Sequence, residues 1–398
     1  MMSGFLSSLS CSVPFGCLLS LLLLAACARP TAPPEIKVPV EPLQAVSWQE
    51  VPGWQQEDLR PALEAFIVSC PSLKRKPSWQ TVCTETLQVD AADRGAVRRF
   101  FENRFIPHRV HNSDGSTRGL ITGYYVPDLQ GSRTPDKNYR YPVLSIPDDL
   151  LVIDLGTLYP DLKGRRLRGR LDGRRVVPYW SRTEIDSGQA PVAGKELFWV
   201  QDPVELFFLH IQGSGRISLE NGERVMVNYA EQNGHPYRSI GKLLIESGAM
   251  TRHQMSLQNI KAWGQRHPDK VLQLLGENPS YVFFSSAEQD LPSPPGALGY
   301  PLTPQRSLAV DPQTIPLGAP VFIATTWPNS SRPLQQLMVA QDTGGAIKGA
   351  VRADFFWGLG QEAGSLAGRM KQDGWLWVLL PRNGAEHVSE QSKAATYP

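Results

Sequence analysis

Short apolar runs cut by Gly, Asp and Pro recur from Leu120 to about Val227 and again from Leu302 onward. Runs of this kind bury little alone and must pair side by side, so they exclude a helical bundle and call for sheets. Tyr141 to Ser145, Glu196 to Val200 and Leu206 to Ile211 read as strands in the first stretch. Val321 to Thr325, Gln336 to Ala340 and Trp375 to Leu379 do so in the second, the last with Trp375, Trp377 and Leu379 on one face. Helical spacing is confined to two places. Leu59, Leu63, Phe66, Ile67 and Cys70 recur at helical period, followed by Val97, Phe100 and Phe101. Helices return at Tyr237 to Glu246, Ser256 to Gln265 and Pro268 to Leu275, with Gly248 at a C-cap position and Pro268 in a first turn. The fold class is therefore mainly β with helices (α+β), and about 330 structured residues suggest two domains.

The N-terminal run from Cys17 to Ala26 is too short for a bilayer crossing, which needs ~20 apolar residues. It reads as the apolar region of an export signal spanning residues 1–26, although that segment carries no Lys or Arg. Leu24 to Cys27 resembles the bacterial lipobox, with Cys27 the lipidated residue. Ala28 stands where an inner-membrane retention signal would have Asp, so the expected location is the outer membrane, facing the periplasm. Acyl chains contribute ~0.8 kcal/mol per buried CH₂, enough for an anchor. Residues 27–52 then form a Pro-rich tether. After processing, Cys70 and Cys83 remain, an even pair in an oxidising compartment. They read either as a disulfide, the favoured reading, or as two separately buried thiols.

Composition excludes some classes. A formal net charge of +2 does not suit a nucleic-acid partner. The basic run from Lys163 to Arg175 is broken by glycines and reads as a solvated hairpin rather than an anion patch. His108 and His111 lie near each other, but no metal-ligand spacing occurs, so no metal and no cofactor is expected.

The most unusual sequence lies in the C-terminal third. Asp311 precedes a Pro in Val310 to Gly318, Asp342 opens Asp-Thr-Gly-Gly, and Asp354 precedes Phe355, Phe356 and Trp357. Three aspartates in this order resemble the three-aspartate (3D) domain, a six-stranded double-psi β-barrel, over roughly 295–381. Upstream, Thr122-Gly-Tyr-Tyr125, Tyr179 to Ile185, Ile211 to Arg216 and Asn228 to Gly241 resemble blocks of the membrane-bound lytic murein transglycosylase A family, and the likeness covers about 96–381.

That resemblance implies a discontinuous first domain (53–122 and 244–385) containing the barrel and an inserted β domain (123–243), with a glycan groove between them and a disordered tail at 386–398. It implies cleavage of the bond between N-acetylmuramic acid and N-acetylglucosamine without water. The implied partners are peptidoglycan glycan strands, the outer membrane through the lipid, and proteins of murein synthesis complexes. By motif position Asp354 is the catalytic acid and base. Its apolar neighbours Ala353, Phe355, Phe356 and Trp357 would raise its pKa, as an acid working near neutral pH requires.

Asp342 reads as a supporting group more than a second catalytic one, because an acceptor before two glycines can bond its own turn. Asp311 ends a turn. Thr122, Gly123 and Tyr124 at the domain hinge, Gln212, Gly213, Ser214 and Gly215 in a Gly-rich block, and Lys348 in a Gly-rich loop are the substrate-binding candidates. Glycine backbone lets a sugar approach closely, and Tyr124 and Tyr125 offer rings for stacking. Three rival functions are weaker. An aspartic protease would need a second Asp-Thr-Gly, which is absent from the chain, or a symmetric dimer, which would not need the other ~300 residues. A hydrolytic glycosidase would have to use Asp342 as its second carboxylate. A wall-binding protein without catalysis would have no use for the Asp354 motif.

Overall fold

The computed structural model describes residues 40–162, 165, 167–286 and 291–382. The segments expected as export signal (1–26), lipidated Cys27, most of the tether, part of the basic run and the C-terminal tail lie outside the described residues. The described chain opens with β1 (Leu43–Ala45), α1 (Arg60–Leu73), α2 (Pro77–Thr86), α3 (Arg94–Arg104), β2 (Phe105–Val110) and β3 (Gly119–Val126). The middle holds β4 (Asp128–Ser132), β5 (Tyr141–Leu144), β6 (Leu151–Ile153), β7 (Leu167–Asp172), β8 (Arg175–Val177), α4 (Arg182–Asp186), β9 (Glu196–Val200) and α5 (Pro203–Gln212). Then come β10 (Ser214–Leu219), β11 (Arg224–Gln232), α6 (Ile240–Glu246), α7 (Leu257–Arg266), α8 (Pro268–Gly276) and β12 (Val282–Ser286). The last part is β13 (Ser307–Val310), β14 (Pro320–Thr326), β15 (Pro333–Asp342), β16 (Arg352–Leu359), α9 (Gly360–Ala367) and β17 (Lys371–Pro381).

One sheet runs β1-β2-β17-β14-β15-β13-β16-β3, and β3 also pairs with β17. That extra pairing closes β3, β16, β13, β15, β14 and β17 into a double-psi barrel, with parallel pairs at β13–β15 and β16–β3. Five of its strands lie within the 295–381 span, and β3 supplies the sixth from far upstream. The barrel core continues outward into α1, α2 and α3, where Phe66, Trp79 and Phe101 join Phe105 of β2 and Phe322 of β14. Each such buried side chain contributes about 1.5–3 kcal/mol. Cys70 on α1 and Cys83 on α2 are joined as a disulfide, with Cα atoms 5.4 Å apart.

The second sheet runs β12-β11-β10-β4-β9-β5, and its core is capped by Leu206 and Leu209 of α5. β12 belongs to it although it lies beyond residue 243. On the far side of α5, Val204 and Phe207 pack with α6, α7 and α8. A three-stranded ribbon, β6-β7-β8, is tied to this sheet by the buried pair of Arg168 and Glu231 at 2.6 Å. The hairpin expected in the basic run is thus present as β7 and β8, with Arg168 turned inward.

One element differs in kind. Leu206 to Ile211 is the body of helix α5, not a strand. The flanks decide it. Asp202 accepts hydrogen bonds from the amides of Val204 and Glu205 (2.8 and 3.3 Å), Pro203 begins the first turn, and Gly213 ends the helix at φ +78°. An apolar run buried on several sides has no visible period, so only these end signals separate helix from strand. His210 is accordingly a buried helical residue. Its Nδ1 accepts from Arg182 Nη2 at 2.7 Å, and burial together with the Arg182 charge keeps the ring neutral.

Candidate active site

Strand β3 presents two faces with opposite jobs. Thr122 and Tyr124 turn outward from the barrel toward the carboxylates, whereas Gly123 and Tyr125 turn to α9. In β16, Asp354 is the register partner of Thr122 on one side and of Ala309 on the other. Phe356, two residues on, shares its face and lies against Tyr124, with ring centroids 5.1 Å apart. Ala353, Phe355 and Trp357 belong to the barrel core, so the apolar wall beside Asp354 is Phe356 and not all four neighbours. Val126, Met226 of β11, Leu302 and Phe356 form a small apolar cluster where the two sheets meet.

Thr122 Oγ1 donates to Asp354 Oδ1 at 2.6 Å, and Arg352 Nη2 donates to the same Thr122 oxygen at 2.8 Å. Tyr124 donates its hydroxyl to Asp342 Oδ2 at 3.0 Å, while the amide of Thr343 donates to Asp342 Oδ1 at 2.9 Å. Both carboxyls are half-buried. Burial raises the Asp354 pKa above the usual carboxylate range, against the pull of the Thr122 hydroxyl and the Arg352 charge. Burial also lifts Asp342 to about 6, opposed by the Thr343 amide and the Tyr124 hydroxyl and reinforced by the nearby Asp354. Tyr124 is held protonated by its burial and by the two carboxylates. Two acids with different surroundings stand close enough to feel each other, the usual setting for a proton donor beside an orienting group.

Asp311 is a brace. Buried at the end of β13, it accepts from the Gln313 amide at 3.1 Å and the Gly349 amide at 2.9 Å, fixing the loop that carries Lys348. Lys348 itself is exposed. Gln212, at the last turn of α5, accepts from the amide of Tyr125 at 3.1 Å. It therefore ties the end of α5 to the backbone of β3. Gly215 packs under Leu209, where a Cβ would collide with Leu209 Cδ1. Gly123 packs under Trp357 and Ala367, where an added Cβ would stand 2.6 Å from Trp357 Nε1. Gly123 is thus required by packing, whereas at Gly215 the Leu209 methyl would have to swing aside. Ser214 begins β10 opposite Asn228.

Arg352 is not among the residues singled out by the sequence. Its signal is spacing: in a strand it shares a face with Asp354 two residues later, a cation beside an acid. Among the described residues no group of three or more His, Cys, Asp or Glu is placed to hold a metal ion, and no helix is long and apolar enough to cross a membrane.

Residues 120–285 match the MltA specific insert domain and residues 306–380 match the 3D domain. The membrane-bound lytic murein transglycosylase A of Escherichia coli K12 is 34% identical over 288 residues, which is 70% of this chain and 70% of that protein. The crystal structure of MltA from Neisseria gonorrhoeae, monoclinic form, superimposes with a TM-score of 0.76 at 39% identity, covering 85% of this chain and 92% of that one. Escherichia coli MltA with bound chitohexaose matches at TM-score 0.64 and 27% identity, over 85% of this chain and 94% of that one. On the barrel, the insert and this extent of likeness, the chain belongs to the membrane-bound lytic murein transglycosylase A family.

Proposed function

We propose that this chain cleaves the glycan strands of peptidoglycan with Asp354 as its single acid and base. The reaction class is that of its family, a lytic murein transglycosylase, and a relative in crystals holds a chitohexaose chain. The observation that supports Asp354 is its half-buried carboxyl, raised in pKa and held by Thr122 on the face shared with Phe356. Protonated, Asp354 gives its proton to the oxygen between N-acetylmuramic acid and N-acetylglucosamine as that bond breaks. Positive charge then develops at C1 of the muramoyl sugar, shared by its own 2-acetamido oxygen. The resulting carboxylate takes the proton of the same sugar's C6 hydroxyl, whose oxygen bonds to C1. Well-oriented intramolecular groups reach effective molarities of ~10⁵–10⁸ M, so this hydroxyl outcompetes water. The product is a 1,6-anhydromuropeptide, and no second carboxylate is consumed as a nucleophile.

In this reading Asp342, fixed by Tyr124, supports the site electrostatically, and Asp311 shapes the loop that bears Lys348. Thr122 and Tyr124 line the glycan path next to Asp354, and Gly123 between them packs against α9. Gln212, Gly213, Ser214 and Gly215 hold the inserted sheet against it, and Lys348 reaches toward substrate carbonyls. The family is membrane-bound, which fits acylation at Cys27, an outer-membrane position facing the periplasm, and contact with murein synthesis proteins.

Mass spectrometry of products from purified sacculi tests the reaction. Wild-type protein is expected to release anhydromuropeptides, and Asp354→Asn to lose at least the ~10²–10⁴-fold typical of a general acid and base. Reducing-end muramic acid as the main product, or near-normal activity in folded Asp354→Asn, overturns the mechanism.

A further inference from the structure

Thr122 stands between a group that can only donate and a group that must accept. The Arg352 guanidinium has N–H donors and no acceptor. At 2.8 Å from Arg352 Nη2, Thr122 Oγ1 therefore accepts there. A hydroxyl has one proton to give, and here it goes to Asp354 Oδ1 at 2.6 Å. Arg352 is itself pinned, with Nη1 donating to the Ala353 carbonyl at 2.5 Å and to the Leu120 carbonyl at 3.4 Å. The direction of the whole chain of hydrogen bonds is thereby set.

We infer that Arg352, acting through the Thr122 hydroxyl, holds the Asp354 proton on Oδ2 and so selects the oxygen that protonates the glycosidic bond. An oxygen that already receives a hydrogen bond is the better acceptor when bare, so the acid proton resides on the other oxygen. In the reaction the proton leaves Oδ2 for the glycosidic oxygen, and the proton of the C6 hydroxyl returns to Oδ2, restoring the carboxyl. This rests on the reading of Asp354 as acid and base. Arg352 and Thr122 are positioning residues, since they act through Asp354. The other groups around it are Tyr124 from β3, Asp342 from β15, uncharged Ala309 from β13, and Lys371 of β17, the register partner of Thr122 on its far side.

The test compares kcat, KM and the pH–rate profile of Arg352→Met, Thr122→Val, their double variant and Thr122→Ser, with Asp354→Asn beside them. Each single loss is expected to lower kcat by roughly 10–100-fold, the scale of a misplaced catalytic group, with KM little changed. The alkaline limb moves to higher pH, because both partners favour the ionised carboxyl. The double variant loses no more than Thr122→Val alone, since the two act in series. Thr122→Ser keeps the hydroxyl and returns kcat and the limb toward wild type. Additive losses, or a limb that does not move, overturn the relay. If Asp354→Asn is inactive in that case, only the relay falls; if Asp354→Asn is fully active, the parent reading falls with it. Neutron diffraction on wild-type crystals below the limb needs no variant: deuterium on Oδ2 supports the relay, and deuterium on Oδ1 overturns it.

Discussion

The amide of Tyr125 donates to the side-chain oxygen of Gln212 over 3.1 Å, joining the strand that carries Thr122 to the end of helix α5. Removing the acceptor leaves an unpaired N–H in a half-buried position, which costs about 1–3 kcal/mol. Gln212→Ala is therefore expected to lower the urea midpoint and to reduce kcat/KM together. Gln212→Glu keeps an oxygen at the same reach and should stay near the wild-type midpoint. Equal midpoints for wild type and Gln212→Ala would show that this link carries no weight.

Asp342 predicts a pH dependence of stability with a definite sign. Its folded pKa of about 6 lies above the ordinary 3.8, so the folded protein binds more protons than the unfolded chain between those values. This group's contribution is fully present below the lower value and is lost as pH rises through the higher one. Asp342→Asn removes that term. The unfolding free energy of the wild type, measured against Asp342→Asn by urea titration from acid to neutral pH, should decline across that window. A constant difference between the two proteins contradicts the assignment.

Sequence reading reaches most of the elements and stops where flanks or partners decide. Ser256 to Gln265 and Pro268 to Leu275 match α7 and α8 within a residue or two, because their caps are local: Ser256 accepts from the Asn259 amide, and Pro268 opens its helix. Leu206 to Ile211 reads wrongly as a strand because its apolar residues face both the sheet and α6 to α8, which erases the period. The deciding Asp202 and Gly213 lie outside the run. Asp354, Asp342, Thr122 and Tyr124 are legible as a set, and the structure gathers them on one face. Arg352 is not, since its meaning depends on a threonine 230 positions earlier. The packing duty of Gly123 is equally hidden, because the groups that fill its place come from other elements.

Gly123 gives a direct check of that duty. A Cβ at this position would stand 2.6 Å from Trp357 Nε1 and 3.0 Å from the Ala367 Cα, and the latter is backbone. Overpacking of this kind costs typically ~1–3 kcal/mol. Gly123→Ala should melt earlier than wild type in a thermal scan and lose activity as α9 is pushed from β3. A melting temperature at or above that of the wild type would mean that α9 yields freely.

The Cys70–Cys83 bond links two helices whose cores are already buried, so its chief effect falls on the unfolded chain. On the chain-entropy model, closing a loop of about 15 residues is worth ~3 kcal/mol. Cys70→Ser with Cys83→Ser should lower the unfolding free energy by about that amount while leaving the specific activity at low temperature near wild type. Thiol titration of the denatured, unreduced protein should find neither cysteine reactive, and two reactive thiols would contradict the bond.

Closure of the barrel through β3 also joins parts of the chain that lie far apart in sequence. Thr122 and Asp354 are 232 residues apart, so β3 lies far ahead in the chain of both strands that flank it. Until β16 and β17 arrive, both of its hydrogen-bonding edges are open, a state prone to pairing with the wrong strand. The inserted sheet begins two residues after β3 and has its strands complete by Ser286, before the first barrel strand of the C-terminal third at Ser307. A closure spanning so much sequence is slow compared with one made from neighbours. The segment 306–380, though recognisable on its own, lacks the strand that would seal it. Asp354 and the Thr122 hydroxyl that holds it lie on neighbouring strands joined across this long-range closure, so the proposed site exists only in the sealed barrel.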